Sequence, residues 1–282
     1  MAQLIHSKMN QQNYQMMQSS SDEEDSATRR PFIVALVGIP GSGKTSSAQI
    51  LSQLLESKLS SSTSSKPSPV MVMPMDGYHL PLAVLKSQPN SKDLIYRRGA
   101  PDTFDPRSLL KDLKQIRQCG KRNRSNSDIN KNNDSSTTNN TDTHTVHIPG
   151  FDHAKGDPEP NAYTYKRDQH SIIICEGLYL LHQDNDNNID SNGNNQNKAN
   201  IGGSWSEEIE KQFDLTIFIN ADVDTCIDRL KVRNKCIPGY TPEEIDIRCD
   251  IVDRSNAMLV LESKYRAMYI VDSVVASSSL SS

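Results

Sequence analysis

Eight consecutive residues have the types and spacing of a phosphate-binding loop. Residues 38–45 read GIPGSGKT and match the pattern GxxxxGK(S/T) in full. Glycines let the backbone turn tightly and bring N–H groups against phosphate oxygens, and a following helix adds the positive end of its dipole. Lys44 would reach the terminal phosphates, and the Thr45 hydroxyl would bind Mg²⁺. The predicted nucleotide-binding residues are Gly38, Ile39, Pro40, Gly41, Ser42, Gly43, Lys44, Thr45 and Ser46.

Two carboxylates follow apolar runs, at points where a buried strand would end. Asp76 lies in PMDGYH, and Glu176 lies in CEGLYLL. Ligands of an open parallel sheet gather at the carboxyl ends of its strands, so Asp76 would stand near the terminal phosphate and accept a proton from an incoming hydroxyl group. Glu176 would hold Mg²⁺ directly or through water. The alternatives are a turn aspartate before Gly77 and a solvated glutamate at a strand end.

Candidates for binding the phosphate acceptor lie in two stretches rich in charged residues. In YRRGAPDTFDP, Arg97 or Arg98 would contact an anion and Asp105 would bind hydroxyl groups, although Asp105 also has the position of a helix N-cap. The second stretch, IPGFDHAKGDPEP at residues 148–160, is interpreted as a loop. The predicted substrate-binding residues are Asp76, His79, Arg98, Asp105, Asp152 and His153.

The stretch DRLKVRN supplies two further cations. Arg229 and Arg233 are one helical turn apart and would share a helix face. Two such arginines after a strand–helix junction would close over the phosphates and stabilise charge in the transferring group. The alternative is a pair of ordinary surface arginines. The predicted catalytic residues are Asp76, Lys44, Arg229 and Arg233.

The elements that must position these residues are short apolar runs separated by helical patterns. The runs are FIVALV (32–37), VMVM (70–73), SIIIC (171–175), LTIFI (215–219) and a weaker one from Tyr269. Continuous apolar runs indicate strands buried on both faces, as in a parallel sheet. Apolar spacing after the glycine loop and a capping box, TPEE at 241–244, indicate helices between the runs. The alternation predicts an α/β fold in which helices sandwich a parallel sheet.

Composition disfavours several classes of function. The net charge is −4, from 31 basic and 35 acidic residues, and no basic face is evident, which disfavours a nucleic-acid partner. The five cysteines form no CxxC pair, which disfavours a zinc site and fits a reducing compartment. No apolar stretch approaches a membrane span, and the first residues lack the apolar core of a secretory signal. We expect a cytoplasmic protein with a small-molecule partner and no membrane partner, and the oligomeric state is left open.

Taken together, these stretches resemble the phosphoribulokinase/uridine kinase group of P-loop small-molecule kinases, which also contains bacterial-type pantothenate kinase. The resemblance runs from about residue 32 to about residue 275, apart from Asn-rich insertions. MDGYHLP is similar to a stretch of the pantothenate kinase-like branch in which the aspartate is the catalytic base. RRGAPDTFDP and IICEGLYLL look like further segments of the group, and Arg229 and Arg233 fall where its lid arginines would be. The closest likeness is to nucleoside/nucleotide kinase-like or fructose-kinase-like members.

The resemblance implies a P-loop kinase core with a five-stranded parallel sheet, a small mobile lid, and ATP and Mg²⁺ as cofactors. Uridine kinases carry a Y-D-F…H loop that reads the pyrimidine. The corresponding residues here, Phe151, Asp152 and His153, lack the tyrosine, which disfavours uridine. The predicted activity is ATP-dependent phosphotransfer to a hydroxyl group of a small polar metabolite. Sugars, nucleosides, and pantothenate-like or vitamin-like alcohols all fit, and a nucleotide-binding ATPase switch or assembly factor with water as acceptor is the alternative.

Low-complexity tracts set the expected domain boundaries. Residues 1–30 are polar and aperiodic, which predicts a disordered tail. Residues 31–278 form the predicted P-loop NTPase kinase domain. Ser/Asn-rich tracts at about 121–143 and 184–203 are predicted to be disordered insertions in surface loops, where extra length costs little.

Overall fold

The computed structural model describes residues 1–19, 30–59, 68–119, 144–184, 201–235 and 239–273. The strands are β1 (Phe32–Gly38), β2 (Val70–Pro74), β3 (Thr145–Asp152), β4 (Asp157–Lys166), β5 (Ile172–Gly177), β6 (Leu215–Asn220) and β7 (Tyr269–Asp272). The α-helices are α1 (Ala2–Ser19), α2 (Lys44–Leu59), α3 (Leu82–Lys86), α4 (Ser91–Tyr96), α5 (Pro106–Gln118), α6 (Glu207–Glu210), α7 (Val223–Asn234), α8 (Pro242–Arg248) and α9 (Arg254–Glu262). Short 3₁₀ turns cover Met75–Tyr78, Pro101–Thr103 and Lys264–Arg266, and a π turn covers Cys249–Asp253.

A five-stranded parallel sheet in the order β2-β5-β1-β6-β7 forms the centre of the fold. The central strand β1 pairs with β5, where Phe32 lies opposite Ile172, and with β6, where Val34 lies opposite Leu215. Every residue of β1 and β5 is buried, which explains why their sequences are continuous apolar runs. The predicted α/β fold with a parallel sheet between helices is confirmed.

Helices cover both faces of the sheet because successive side chains of a strand point to opposite sides. In β1, Ile33 and Val37 belong to the core on one face, which also takes up α5. Val34 and Leu36 belong to the core on the other face, which takes up α2 and α1. In the part of the chain that the structure describes, no helix has the length and apolar character that crossing a membrane requires.

The first residues form helix α1, whereas the sequence predicts a disordered tail over residues 1–30. Ile5 and Met9, one helical turn apart, are buried against the core beside α2, and Ile5 is fully buried. The structure therefore corrects the prediction over Ala2–Ser19. The physical reason is that packing of a few correctly spaced apolar side chains stabilises a helix whose composition is otherwise polar. Residues 20–29 lie outside the described residues.

The stretch interpreted as a loop at residues 148–160 is most of an antiparallel hairpin, β3–β4. Pro149 and Pro158 favoured the loop interpretation, which is wrong here. In a two-stranded ribbon both strands are edges, so a proline can occupy a position whose N–H has no ladder partner. A register shift between Ile148 and Gly150 accommodates the irregular segment.

The two predicted insertions fall mostly on residues 120–143 and 185–200, which are outside the described residues. The described end of the second one is packed against the rest of the protein. Arg107 Nε donates to the carbonyl oxygen of Gly202 at 3.0 Å, and a Cβ atom on Gly202 would lie 1.9 Å from the carbonyl oxygen of Phe104. Residues 201–203 are therefore part of the packed core region near α5, and the predicted insertion boundary at 203 is corrected accordingly.

Candidate active site

The glycine loop joins the carboxyl end of β1 to the first turn of α2. Gly41 and Gly43 have φ angles of 78° and 88°, in the left-handed region that favours glycine. At Gly41 a Cβ atom would also lie 2.5 Å from the carbonyl oxygen of Cys226 in α7. Glycine is therefore needed both for the turn and for the contact with α7. The loop brings the amino end of α2, with its N–H groups and dipole, to the edge of the sheet, as phosphate binding requires.

Lys44 is the cation of this loop. Its side chain is buried, and Nζ donates a hydrogen bond to the carbonyl oxygen of Ile39 at 3.0 Å. Burial lowers the pKa of Lys44, the Glu176 and Asp76 carboxylates oppose that shift, and the charge of Arg233 adds to it. The ammonium group is thus within electrostatic reach of both predicted carboxylates.

Glu176 lies at the end of β5, next to β1. Thr45 Oγ1 donates to Glu176 Oε1 at 3.1 Å. Burial raises the pKa of Glu176, Lys44 opposes that shift, and the charge of Asp76 adds to it. A carboxylate has about four lone-pair sites, so a single hydroxyl donor leaves most of its acceptor capacity unused.

Thr45 and Glu176 together fit Mg²⁺. This ion prefers oxygen ligands, keeps several waters, and is held in kinase sites by one or two protein groups and the substrate phosphates. A hydroxyl and a buried carboxylate 3.1 Å apart beside a phosphate loop supply such oxygens. Among the described residues, no group of three or more His, Cys, Asp or Glu side chains could hold a metal by itself. An ion at this position would therefore depend on the phosphates of the nucleotide.

Asp76 lies in the 3₁₀ turn Met75–Tyr78, directly after β2. Because β2, β5 and β1 are neighbours in a parallel sheet, their carboxyl ends lie side by side. Asp76, Glu176 and the glycine loop consequently share one edge. The Asp76 charge raises the pKa values of both Lys44 and Glu176, which agrees with this proximity.

Glycine is required at position 77, directly after Asp76, because of close packing and not because of a left-handed turn conformation. Gly77 is not among the glycines with a left-handed φ. A Cβ atom on Gly77 would lie 2.3 Å from the carbonyl oxygen of Pro149 in β3. Glycine is required here because the hairpin β3–β4 packs directly on the turn that carries Asp76. The hairpin therefore forms one wall beside this carboxylate.

Helix α7 places both predicted arginines near the phosphate loop. Arg229 Nη1 donates to the carbonyl oxygen of Gly41 at 3.4 Å. Arg233 is exposed, donates through Nε to Asn234 Oδ1 at 3.2 Å, and lowers the pKa of Lys44 through its charge. The two guanidinium groups lie on the face of α7 that borders the loop.

His79 is packed between two aromatic rings. Its ring centroid lies 3.9 Å from that of Phe104 and 4.9 Å from that of Phe151 in the hairpin. Its Nδ1 atom lies 2.8 Å from the carbonyl oxygen of Asp76. The structure thus brings His79, predicted to bind substrate, against the turn that carries Asp76.

The outer nitrogens of Arg98 have hydrogen-bond partners within the protein. Nη2 donates to the carbonyl oxygen of Leu80 at 3.0 Å and to Asp157 Oδ1 at 2.9 Å, and Nη1 donates to the carbonyl oxygen of Gly156. The guanidinium carbon lies 5.6 Å from the ring centroid of Phe151. Arg98 therefore holds the tip of the hairpin to the segment after Asp76, and anion binding by Arg98 stays a prediction.

Two other residues of the same stretch also have internal partners. Arg97 forms a bidentate pair with Asp102, at 2.9 and 2.8 Å. Asp105 is the N-cap of α5, because its Oδ1 accepts from the N–H of Ser108 at 3.0 Å and its Oδ2 accepts from the Ser108 hydroxyl at 2.7 Å. The N-cap alternative describes the side chain as it stands, and hydroxyl binding by Asp105 stays a prediction.

The hairpin tip carries the remaining substrate candidates. Asp152 Oδ1 accepts from the N–H groups of Ala154 at 2.9 Å and Lys155 at 3.1 Å, and its Oδ2 lies 2.9 Å from Lys155 Nζ. His153 is exposed, and its ring centroid lies 5.2 Å from that of Phe151. Asp152 thus stabilises the turn between β3 and β4, and substrate binding by Asp152 and His153 stays a prediction.

Sequence reasoning missed the residues that hold these segments together. Asp157 is the partner of Arg98. Tyr179 donates its hydroxyl to the carbonyl oxygen of Gly99 at 2.7 Å, and Arg248 Nη2 donates to the carbonyl oxygen of Arg98 at 2.9 Å. A carboxylate inside a charged stretch is a signal that could have found Asp157. Nothing local could have found Arg248, which is 150 residues from its partner.

A second buried carboxylate, Asp214, lies at the opposite, amino end of the sheet, directly before β6. An open cleft of about 230 Å³ beside it is lined by Lys8, Gln11, Gln12, Gln15, Phe32 and Asp214. The donors to the Asp214 carboxylate are Gln12 Nε2, Arg30 Nη1, Arg117 Nη1 and the N–H of Ile33. The cleft is far along the strands from the glycine loop, so we place the candidate chemistry at the carboxyl end.

Comparison with known proteins finds several curated relatives, although no family model matches the chain. ATP-dependent kinase YFH7 of Vanderwaltozyma polyspora is 33% identical over 120 residues, which cover 39% of this chain and 33% of that protein. Pantothenate kinase of Agrobacterium fabrum is 28% identical over 196 residues, or 70% of this chain and 46% of that protein. The chain thus spans about a third to a half of the length of these relatives.

Solved structures show the same fold over most of the chain. A candidate fructose transport system kinase from Silicibacter sp. TM1040 has a TM-score of 0.59 at 22% identity and covers 89% of this chain and 92% of its own. YFH7 from Saccharomyces cerevisiae has a TM-score of 0.59 at 20% identity, over 86% and 92%. These likenesses show that the chain has the fold of the P-loop kinases. Within that class, the kinase names of the relatives confirm the resemblance to the phosphoribulokinase/uridine kinase group.

Proposed function

We propose that this chain is an ATP-dependent phosphotransferase that moves the γ-phosphoryl group of ATP to a hydroxyl group of a small polar metabolite. The observation that carries the proposal is the shared location of Lys44, Glu176 and Asp76 at one edge of the sheet. Binding a nucleotide with Mg²⁺ requires the lysine and one carboxylate beside Thr45. A further carboxylate at the same edge supports transfer to an alcohol, which must lose a proton.

The glycine loop and the cations would bind and polarise the triphosphate. Backbone N–H groups of the glycine loop would bind the phosphates, and Lys44 Nζ would exchange the Ile39 carbonyl oxygen for phosphate oxygens. Thr45 and Glu176 would hold Mg²⁺, which supplies charge neutralisation on the phosphates when bound. Arg229 and Arg233 offset charge on the transferring group from the α7 side.

Asp76 would act as the general base. As the acceptor oxygen bonds to phosphorus, its O–H bond breaks, the proton moves to the Asp76 carboxylate, and ADP leaves with the electrons of the broken P–O bond. Of the predicted acceptor-binding residues, His79 is adjacent to Asp76, whereas Asp105 and Asp152 already accept hydrogen bonds from the protein. A kinase domain at residues 31–278, a mobile lid that includes α7, and a cytoplasmic location stay predictions.

The test is a phosphotransfer screen of the full chain with ATP, Mg²⁺ and a library of sugars, nucleosides, and pantothenate-like and vitamin-like alcohols. We expect ADP formation that requires one of the alcohols, yields its phosphate ester, and stops when Mg²⁺ is chelated. Lys44→Ala serves as the inactive control, because the loop loses its charge on the terminal phosphates while the fold survives. ADP formation that is independent of every alcohol would overturn the proposal and favour an ATPase with water as acceptor.

A further inference from the structure

We propose that His79 selects the acceptor, because its Nε2 atom is presented as a hydrogen-bond acceptor beside Asp76. The substrate would then carry a second hydrogen-bond donor, such as a hydroxyl group, next to the hydroxyl group that receives phosphate. This inference rests on the proposed function and deepens it. It names the substrate class as a diol or polyol, in place of an alcohol with one hydroxyl group.

The hydrogen bond to Asp76 fixes which ring nitrogen carries the proton. Nδ1 of His79 lies 2.8 Å from the Asp76 carbonyl oxygen, and the backbone N–H of His79 lies 3.2 Å from the same oxygen. A carbonyl oxygen only accepts, so Nδ1 must be the donor. In a neutral imidazole the other nitrogen then has a free lone pair, which makes Nε2 an acceptor.

The ring is held in place and its Nε2 atom is available. Phe104 and Phe151 pack against the ring, with centroids 3.9 and 4.9 Å away, so it cannot rotate without disturbing both. His79 nevertheless stays partly exposed, and among the described residues Nε2 makes no hydrogen bond. A fixed acceptor with no partner is therefore available to a ligand.

The surroundings of the ring, above all its burial, favour its neutral form. Burial lowers the pKa of His79, and the charges of Arg98 and of His153 at the hairpin tip lower it further. The nearby Asp76 opposes these effects, through its charge and its carbonyl oxygen. The lowered pKa keeps Nε2 unprotonated near neutral pH, where an imidazolium would donate instead.

Two acceptors on one turn define what the substrate must offer. The Asp76 carboxylate accepts a proton from one hydroxyl group, and Nε2 of His79 accepts a hydrogen bond from its neighbour. A carboxylate, phosphate or ether oxygen facing Nε2 would place acceptor against acceptor. Sites that hydrogen-bond a substrate hydroxyl discriminate strongly against analogues that lack it, since the site's polar atom is then left unpaired.

The first experiment measures the tautomer of the full wild-type chain by ¹⁵N NMR of the His79 ring, assigned by comparison with His79→Asn. We expect a protonated Nδ1 and an unprotonated Nε2 at neutral pH. A ring that is protonated at Nε2, or charged at neutral pH, would overturn the inference. This measurement needs no acceptor, and it needs the variant His79→Asn only to assign the ring signals.

The second experiment compares acceptors that differ by one hydroxyl group, namely glycerol with 1,3-propanediol and D-ribose with 2-deoxy-D-ribose, followed by the same comparison for each alcohol that the screen identifies. We expect kcat/KM to fall roughly 10- to 100-fold when the neighbouring hydroxyl group is absent. His79→Asn keeps the donor to Asp76 but has no atom at Nε2, so it should abolish this discrimination and leave KM for ATP unchanged. His79→Gln reaches the Nε2 position with an amide oxygen and should restore part of it.

The matched control is His147→Asn, which alters an exposed histidine of β3 whose Nδ1 lies 3.2 Å from Thr164 Oγ1, and we expect it to behave as wild type. Two results would overturn the inference while the proposed function stands. One is wild-type transfer that does not depend on the second hydroxyl group, and the other is discrimination between the paired acceptors that is the same in His79→Asn as in the wild type. The absence of transfer to any alcohol by the wild type would overturn the proposed function and this inference together.

Discussion

Two buried carboxylates lie at opposite ends of one sheet, and the protein supplies them with different sets of hydrogen-bond donors. Asp214, at the amino end of β6, accepts hydrogen bonds from two arginines, a glutamine and a backbone N–H. Glu176, at the carboxyl end of β5, accepts from the Thr45 hydroxyl. Lys44 is close to Glu176, but its Nζ donates to a carbonyl oxygen of the glycine loop.

The difference separates a structural carboxylate from one that is kept for a ligand. Burial raises the pKa of Asp214 and of Glu176, so in both cases ionisation in the folded protein has a cost. At Asp214 several of the protein's own donors offset part of that cost and hold α1 and α5 to the start of the sheet. At Glu176 the Thr45 hydroxyl and the charge of Lys44 offset part of it, and cations that arrive with a nucleotide would offset more. Stability is given up where ligand binding requires unused acceptors.

The largest expected effect is at the ligand end and comes from Asp76→Asn. The substitution keeps size and shape but removes the proton-accepting oxygen, so the rate of transfer should fall roughly 10²- to 10⁴-fold while ATP affinity changes little. Single-turnover transfer to the identified acceptor, followed over a Mg²⁺ titration, measures this. A rate within about threefold of wild type, or full rescue by Mg²⁺, would refute the base assignment.

A smaller loss is expected for Glu176→Gln, roughly 10- to 100-fold in activity, because a group that orients Mg²⁺ is weakened. The stability of the Glu176→Gln variant should rise relative to the wild type, although its activity falls. The folded pKa of Glu176 lies above the ordinary value of a glutamate, so the folded state holds the proton longer and wild-type stability falls as pH rises through the folded pKa. Glutamine removes that penalty. Melting temperatures measured from about pH 4 to about pH 7 should therefore increasingly favour the variant. An unchanged difference across this range would contradict the partial pairing of Glu176.

At the structural end, Asp214→Asn should lower stability and leave catalysis nearly intact. The change leaves the partly buried Arg117 and Arg30 without their carboxylate and should cost about 3 kcal/mol, or roughly 6–12 °C in melting temperature. kcat/KM of the folded fraction should stay within about threefold of wild type, since Asp214 is at the far end of the sheet. Asp224→Asn, which breaks an exposed ion pair with Arg254, is the control and should change the melting temperature by no more than about 2 °C. If Asp214→Asn lost activity but kept full stability, the structural role assigned to the amino end of the sheet would be wrong.

The fold could be predicted wherever burial leaves a local pattern. Strands β1, β5 and β6 were predictable because a strand covered on both faces must be mostly apolar, whereas the edge strand β7 is half exposed and gives a weaker apolar run. Helix α1 was not, since its apolar residues are few and its stability comes from docking. The hairpin β3–β4 was not either, because its prolines are typical of loops and its strands pair only with each other.

The candidate site divides in the same way. The glycine loop, Asp76 and Glu176 lie at the carboxyl ends of buried strands. Their spacing along the chain was therefore enough to predict that they share one edge of the sheet. Nothing nearby in sequence reveals the ion pair between Arg98 and Asp157, because the two residues are 59 positions apart. Roles that depend on long-range contacts, such as the Arg98–Asp157 ion pair and the ring contacts of His79, can be recognised only in the structure.

The smallest effect is expected from Asp152→Asn, which tests whether the partly exposed carboxylate at the hairpin tip only stabilises the turn or also binds the acceptor. Hydrogen bonds and the charge of Lys155, with the N–H of Ala154, lower the pKa of Asp152, so it is ionised in the assay. Asparagine can accept from the same N–H groups, and an exposed ion pair contributes little, so kcat/KM should stay within about threefold of wild type. Asp152→Ala removes the turn acceptor and should perturb the hairpin more. A KM for the acceptor that rises roughly tenfold with an unchanged KM for ATP would instead make Asp152 a substrate ligand, since loss of one hydrogen bond to a charged group has about that effect.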